Sequence, residues 1–309
     1  MCSPAASTKV AADYIKLNRI NPEMFSKPQV MRQSWASDKR LLQQFVDELC
    51  SLRDLRYIHF LGGETLYIDE FYTICDALVN AGISKDIIIG TTTNGTVFND
   101  KIVDYCDKFR EVHLGISVET ATSLNDYIRY GSSVDSVLST ARKFLDLRAV
   151  SPSLNLILRT TISNLSVFHL DTLLKFSLEN RLSSESCWIL DTPDCLAVGV
   201  LSPTLKTEAI NKLLDVVRVA DQMLLESEHG GQVDQCSANV RLPGTEIEQI
   251  RRVTIEVVNL LENTLEEKPE YNALRRKLVT FLKTFEAIRN NSILDHLPEY
   301  EEFLRSYGY

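Results

Sequence analysis

The stretch Arg56-Tyr57-Ile58-His59-Phe60-Leu61-Gly62-Gly63-Glu64-Thr65 decides how this chain is read. Tyr57, Ile58, Phe60 and Leu61 predict a short strand covered on both faces. Two adjacent glycines follow where it ends. They remove side chains there, so a ligand can approach bare backbone, and they accept backbone angles that other residues avoid. The carboxylate of Glu64 comes next and is placed to receive a cation. The same residues also suit an ordinary strand-to-helix turn with an acid at the helix start, so the rest of the chain has to choose.

Downstream the pattern alternates. Further strands are expected over 87–91, 111–118, 154–161 and 187–191. Helices are expected over 68–80 with a stop at Ala81-Gly82, from 99–100 onward, over 134–147 and over 167–179. Such alternation predicts parallel βαβ units. Upstream, a helix over 5–17 is followed by breaks at Asn21-Pro22 and Lys27-Pro28. Another helix then runs over 39–49, behind the start signal Ser37-Asp38. From Ser202-Pro203 the pattern is helical, over 204–228, 245–267, 271–290 and 297–305, with a polar loop over 229–244. The expected organisation is an α/β body over 1–202 and a helical C-terminal extension over 203–309.

Bulk properties narrow the function. A chain of 309 residues, 44% hydrophobic and 24% charged, is globular. A net charge of −9 argues against a nucleic-acid surface as its main business. No apolar run approaches the ~18 residues of a membrane span, and Met1-Cys2-Ser3-Pro4 is no signal peptide. The seven cysteines, at 2, 50, 75, 106, 187, 195 and 236, form no C-x-x-C pair, which suits a reducing cytoplasm. Cys75 and Cys106 are expected to pack inside helices. A Rossmann Gly-x-Gly-x-x-Gly, a phosphate-binding Gly-x-x-x-x-Gly-Lys and a His-Glu-x-x-His are all absent. His59 and His113 fall inside strands and are expected as packing residues.

Sites in parallel α/β folds gather at the C-terminal strand ends. Read in turn, those ends offer Gly62-Gly63-Glu64, then Thr93-Asn94-Gly95, then Ser117 and Glu119. After them come Arg159, Thr160 and Asn164, then Asp191 and Asp194. Each has an ordinary role when taken singly: Asn94-Gly95 is a common turn and Ser117 a capping type. Their recurrence suits a polar, charged small molecule.

Phe60-Leu61-Gly62-Gly63-Glu64, Thr93-Asn94-Gly95-Thr96, Ile116-Ser117-Val118-Glu119 and Asn125-Asp126-Tyr127-Ile128-Arg129-Tyr130-Gly131 together resemble the radical S-adenosylmethionine (radical SAM) family. The resemblance implies a partial (β/α)6 TIM-like barrel, here lacking its first strand. It is nearest to the branch with a C-terminal twitch-type extension, which the ending over 294–304 also resembles. It implies that Gly62, Gly63 and Glu64 bind the methionine amino group of S-adenosylmethionine. Ser117 and Arg129 match positions near the methionine carboxylate or ribose, and a guanidinium suits a carboxylate. Thr93, Asn94 and Glu119 are further cofactor-binding candidates. Arg159 and Asn164 are candidates from their strand end alone.

The family holds a 4Fe–4S cluster on three cysteines, usually spaced C-x3-C-x2-C; thiolates are the standard cluster ligands. In the twitch-like branch the last of them often sits in a Met-Cys-x-Pro setting, which Met1-Cys2-Ser3-Pro4 matches. Cys2 is therefore implied as the third cluster ligand, with the first two absent from this sequence. A shortened product, a split protein and a degenerate member are the three accounts of that gap, and this chain alone is expected to be inactive. For the intact protein the resemblance implies reductive cleavage of S-adenosylmethionine to methionine and a 5′-deoxyadenosyl radical. That radical would abstract hydrogen from a peptide or small-molecule substrate. An electron donor such as flavodoxin or ferredoxin is the implied partner; nucleic acid and membrane are not. The alternative is a catalytically inactive or split radical SAM-like binding module.

Overall fold

The computed structural model describes residues 8–24, 35–229 and 244–309. Helices α1 (Thr8–Ile20) and α2 (Lys39–Ser51) precede β1 (Tyr57–Phe60). There follow α3 (Asp69–Asn80), β2 (Ile88–Thr93), α4 (Val103–Cys106), β3 (Glu111–Ser117), α5 (Leu124–Ile128) and α6 (Val134–Val150). Then come β4 (Leu154–Ile162), α7 (Leu170–Glu179), β5 (Ser183–Ile189), α8 (Pro203–His229), α9 (Thr245–Glu262), α10 (Tyr271–Arg289) and α11 (Glu301–Arg305). The strands form one five-stranded sheet in the order β1-β2-β3-β4-β5. β1 pairs parallel with β2, and β2 parallel with β3. The α/β body with a partial, TIM-like parallel arrangement is thus the observed fold class.

The described residues divide into two compact units, one of those up to Ser117 with Asp135–Ile157, the other of Val118–Val134 with those from Leu158 to Tyr309. In the first, α2 starts where Ser37-Asp38 predicts. The Asp38 side chain accepts from the Arg40 and Leu41 backbone N–H groups at 2.9 and 3.2 Å. α3 buries Phe71, Tyr72, Ile74, Cys75 and Leu78 along one face. It ends at Gly82, whose φ of +75° only glycine takes readily. The Gly82 and Ile83 N–H groups close on the Val79 and Leu78 carbonyls at 3.0 and 3.3 Å, a Schellman ending.

Several expectations need correction. β1 is not covered on both faces: Tyr57 is 48% exposed and Leu61 80%. The physical reason is position, because β1 lies at one end of the strand order and lacks a neighbour on one side among the described residues. The fifth strand, expected over 187–191, is found there but begins four residues earlier and ends at Ile189, as polar Ser183, Ser184 and Glu185 hide its start from a hydrophobic pattern. The helix from 99–100 is one 3-10 turn, Asp100–Ile102, followed by one α-turn. α7 likewise begins after a 3-10 turn, Val167–His169. The helix expected over 245–267 stops at Glu262. Residues 230–243 of the expected loop lie outside the described residues.

In the second unit, α9 buries Ile247, Ile250, Val253, Thr254, Val257, Val258 and Leu261, a helical stripe. It packs against α8, where Arg251 Nε meets Asp221 Oδ1 at 2.5 Å. α10 is fastened by Arg275, which is 4% exposed. Its guanidinium donates to the Val200 and Leu201 carbonyls at 2.7 and 3.1 Å, to Glu267 Oε1 at 2.6 Å and to the Tyr307 hydroxyl at 3.0 Å. A buried guanidinium needs such a full set of acceptors. Arg275→Ala strands two backbone carbonyls and is expected to cost about 3 kcal/mol in urea unfolding. Arg275→Lys is expected to recover only a minor part of that loss, since an ammonium lacks the fork.

Candidate functional site

The turn after β1 has the backbone that its sequence suggests. Gly62 and Gly63 take φ of +106° and +57°, the left-handed region that disfavours side chains. An added Cβ at Gly62 would meet nothing within 4 Å, so conformation and not crowding demands glycine there. Both glycines are exposed, which leaves their backbone approachable. Glu64 is half-buried, and its Oε2 accepts the Asn94 N–H at 2.7 Å. Thus the ends of β1 and β2, thirty residues apart in sequence, are joined through one carboxylate.

Thr93 and Asn94 build the second turn. Thr93 is 2% exposed and its hydroxyl accepts the Gly95 N–H at 3.1 Å. Asn94 Oδ1 accepts from the Thr96 N–H and hydroxyl at 2.9 and 2.7 Å, the Asx arrangement that ordinary turns use. At Gly95, φ +68°, a Cβ would lie 2.9 Å from the Ile116 side chain and 3.0 Å from Val137. Their side chains therefore shape the turn, while the Asn94 backbone N–H fixes Glu64.

In the other unit Glu119 is 2% exposed and fully engaged. Oε1 meets Arg129 Nη1 at 2.8 Å. Oε2 accepts the Thr161 N–H at 2.7 Å and the Thr160 hydroxyl at 3.2 Å. Its own N–H donates to Oδ1 of buried Asn125 at 3.0 Å. A buried carboxylate is tolerable only with its lone pairs filled, and here the set includes the guanidinium it holds. Arg129 is half-buried, with 17% side-chain exposure.

The remaining candidates do not join this pair. Arg159 Nε faces Glu185 at 3.5 Å. Ser117 is half-buried as the last residue of β3. Asn164 is fully buried; its Nδ2 donates to the Cys195 carbonyl at 2.8 Å and its carbonyl accepts the Tyr300 hydroxyl at 2.6 Å, a structural joint. Asp194 Oδ1 pairs with Lys277 Nζ at 2.5 Å. Cys2 lies outside the described residues.

Sequence reasoning missed a polar network on one sheet face. His59 and His113 do not serve as buried packing residues; both are half-exposed. His59 Nδ1 is 2.8 Å from the Tyr57 hydroxyl, and His113 Nε2 is 2.6 Å from Glu111 Oε2. Asn155 Nδ2 lies 3.4 Å from Glu111 and 3.3 Å from His113. Gly90 supplies the floor, since a Cβ there would sit 2.6 Å from both His59 Nδ1 and the Tyr57 hydroxyl. The alternation of Tyr57 with His59, and of Glu111 with His113, was the available signal.

Residues 21–160 match the Radical SAM superfamily. The matched span is a little under half of the chain. The matched span contains Gly62, Gly63, Glu64, Thr93, Asn94, Ser117, Glu119, Arg129 and Arg159. A solved structure described as native anSMEcpe with bound AdoMet is similar over 65% of this chain, with 17% identity and a TM-score of 0.42. The chain spans 60% of that structure's length. The search of curated proteins gave no match.

A cluster needs accessible thiolates, and among the described thiols only Cys50 is half-buried, its thiol raised by burial and by the Asp47 charge. Cys75, Cys106 and Cys195 are buried. Burial pushes Cys106 and Cys195 up to about 11 and Cys75 higher still. Among the described residues no three His, Cys, Asp or Glu side chains are grouped to hold a metal. No described helix is long and apolar enough to cross a membrane.

The sheet-face network makes a pH prediction. The hydrogen bond from His113 holds the Glu111 carboxyl below its usual range. A lowered carboxylate contributes stability above its unfolded pKa and loses it as pH falls through the folded value. The stability gap between wild type and Glu111→Gln in urea unfolding is therefore expected to shrink below about pH 4. A gap that persists unchanged into acid contradicts this role.

Proposed function

We propose that this chain binds S-adenosylmethionine and serves radical SAM chemistry on a peptide or small-molecule substrate. The observation that carries the reading is the Gly62-Gly63-Glu64 turn. Its exposed left-handed glycines leave the backbone approachable, and its carboxylate is held in place by the Asn94 N–H. An ammonium needs such a set: acceptors on more than one side and a compensating negative charge. The residues present therefore fit the methionine amino group. Arg129, anchored by Glu119, suits a carboxylate.

Bound S-adenosylmethionine supplies hydrogen-abstraction chemistry when it is reduced, and this chain's contribution is to hold and orient the molecule. Cys2 is the cluster ligand in this proposal. An electron donor of the flavodoxin or ferredoxin kind, and a cytoplasmic setting, belong to the same proposal. The twitch-type character of the helical extension is part of it as well.

Isothermal titration of the full chain with S-adenosylmethionine tests the ammonium site. Glu64→Gln keeps the shape and removes the charge. A lost charge-assisted hydrogen bond predicts weakening by about tenfold to a hundredfold. An unchanged Kd overturns the assignment.

A further inference from the structure

The segment from Glu119 to Arg129 contains only one short helix, α5, of five residues. A helix that short has no stability of its own. The place of Arg129, at the C-terminal end of α5, therefore depends on what grips the segment. Three contacts come from the C-terminal helices. The hydroxyl of Tyr127, a side chain 5% exposed, donates to Glu286 Oε1 at 3.3 Å. The Arg289 guanidinium lies 4.6 Å from the Tyr130 ring and 4.6 Å from the Phe285 ring. His296 Nδ1 and the Ser123 hydroxyl are 2.9 Å apart.

Glu286 and Arg289 stand three residues apart on α10 and share a face. Tyr127 and Tyr130 bracket Ile128 and Arg129. Glu286 is itself braced. Its Oε1 accepts the Ile293 N–H at 2.7 Å, and its two oxygens accept the Tyr309 hydroxyl at 2.8 and 2.7 Å. Burial, reinforced by the Glu286 charge, raises the Tyr127 phenol well above its ordinary range, so it stays a neutral donor. At the far end of the segment, Asn125 is fully buried and takes the Glu119 N–H. Arg129 is thus held by its side chain through Glu119 and by its backbone through Tyr127.

We propose that Glu286 is a positioning residue for Arg129, acting through Tyr127 to hold the guanidinium where it meets the carboxylate of a bound ligand. The inference rests on the proposed function, with S-adenosylmethionine as that ligand. Glu286 touches no ligand itself. It fixes the short helix that would otherwise let Arg129 drift from its position.

A double-mutant cycle on S-adenosylmethionine affinity, measured by titration of the full chain, tests this. Arg129→Met is expected to weaken binding at least about tenfold, and Glu286→Ala about fivefold. The double variant is expected to bind no worse than Arg129→Met, because Glu286 acts only through the guanidinium. Tyr127→Phe keeps the ring and reproduces the Glu286→Ala loss, which guards against a folding defect in the latter. Glu286→Gln keeps an acceptor and restores most of the affinity. Losses that multiply in the double variant overturn the proposal. So does wild-type affinity in both Glu286→Ala and Tyr127→Phe. Wild-type affinity in Arg129→Met is a separate pattern: it removes Arg129 from the binding site and the inference with it.

Discussion

A carboxylate with 2% exposure must have its lone pairs occupied, and Glu119 is such a group. It follows the last strand residue of β3 by two positions, and it collects Arg129, Thr160 and the Thr161 N–H. One side chain thereby binds the segment after β3 to the C-terminal end of β4. Removing it would leave a half-buried guanidinium and a backbone donor without their acceptor, a loss larger than a single neutral hydrogen bond. The arrangement also spends Glu119 on Arg129. It thereby fixes the direction of a cation that retains 17% side-chain exposure.

The turn after β1 follows a different logic. Nothing crowds Gly62, yet no other residue takes its backbone angle without strain. The turn therefore exists to shape the chain, with both glycines exposed and the Glu64 carboxylate turned to the Asn94 N–H. Asn94 serves it by its N–H, while its side chain closes a local turn. Each of these constraints is local.

Much of this was legible in the sequence, for physical reasons. Strand and helix alternation follows from hydrophobic period, and the α3 ending from Gly82. The glycine pair announced its own backbone. Other features were hidden. The burial of a strand face depends on which elements cover it, so β1 read as enclosed although it is an edge. The same ambiguity made His59 and His113 look like packing residues. Ser183-Ser184-Glu185 carried too little apolar signal to mark the start of β5. The grip of Glu286 on Tyr127 joins residues 159 positions apart, which no local pattern reveals.

The central claim is that the Gly62-Gly63-Glu64 turn receives S-adenosylmethionine. Hydrogen–deuterium exchange with and without saturating S-adenosylmethionine reads that turn directly. The account predicts slower exchange at the amides over 62–67 and 94–96 when the ligand is present. Binding with unchanged exchange across both stretches would contradict it.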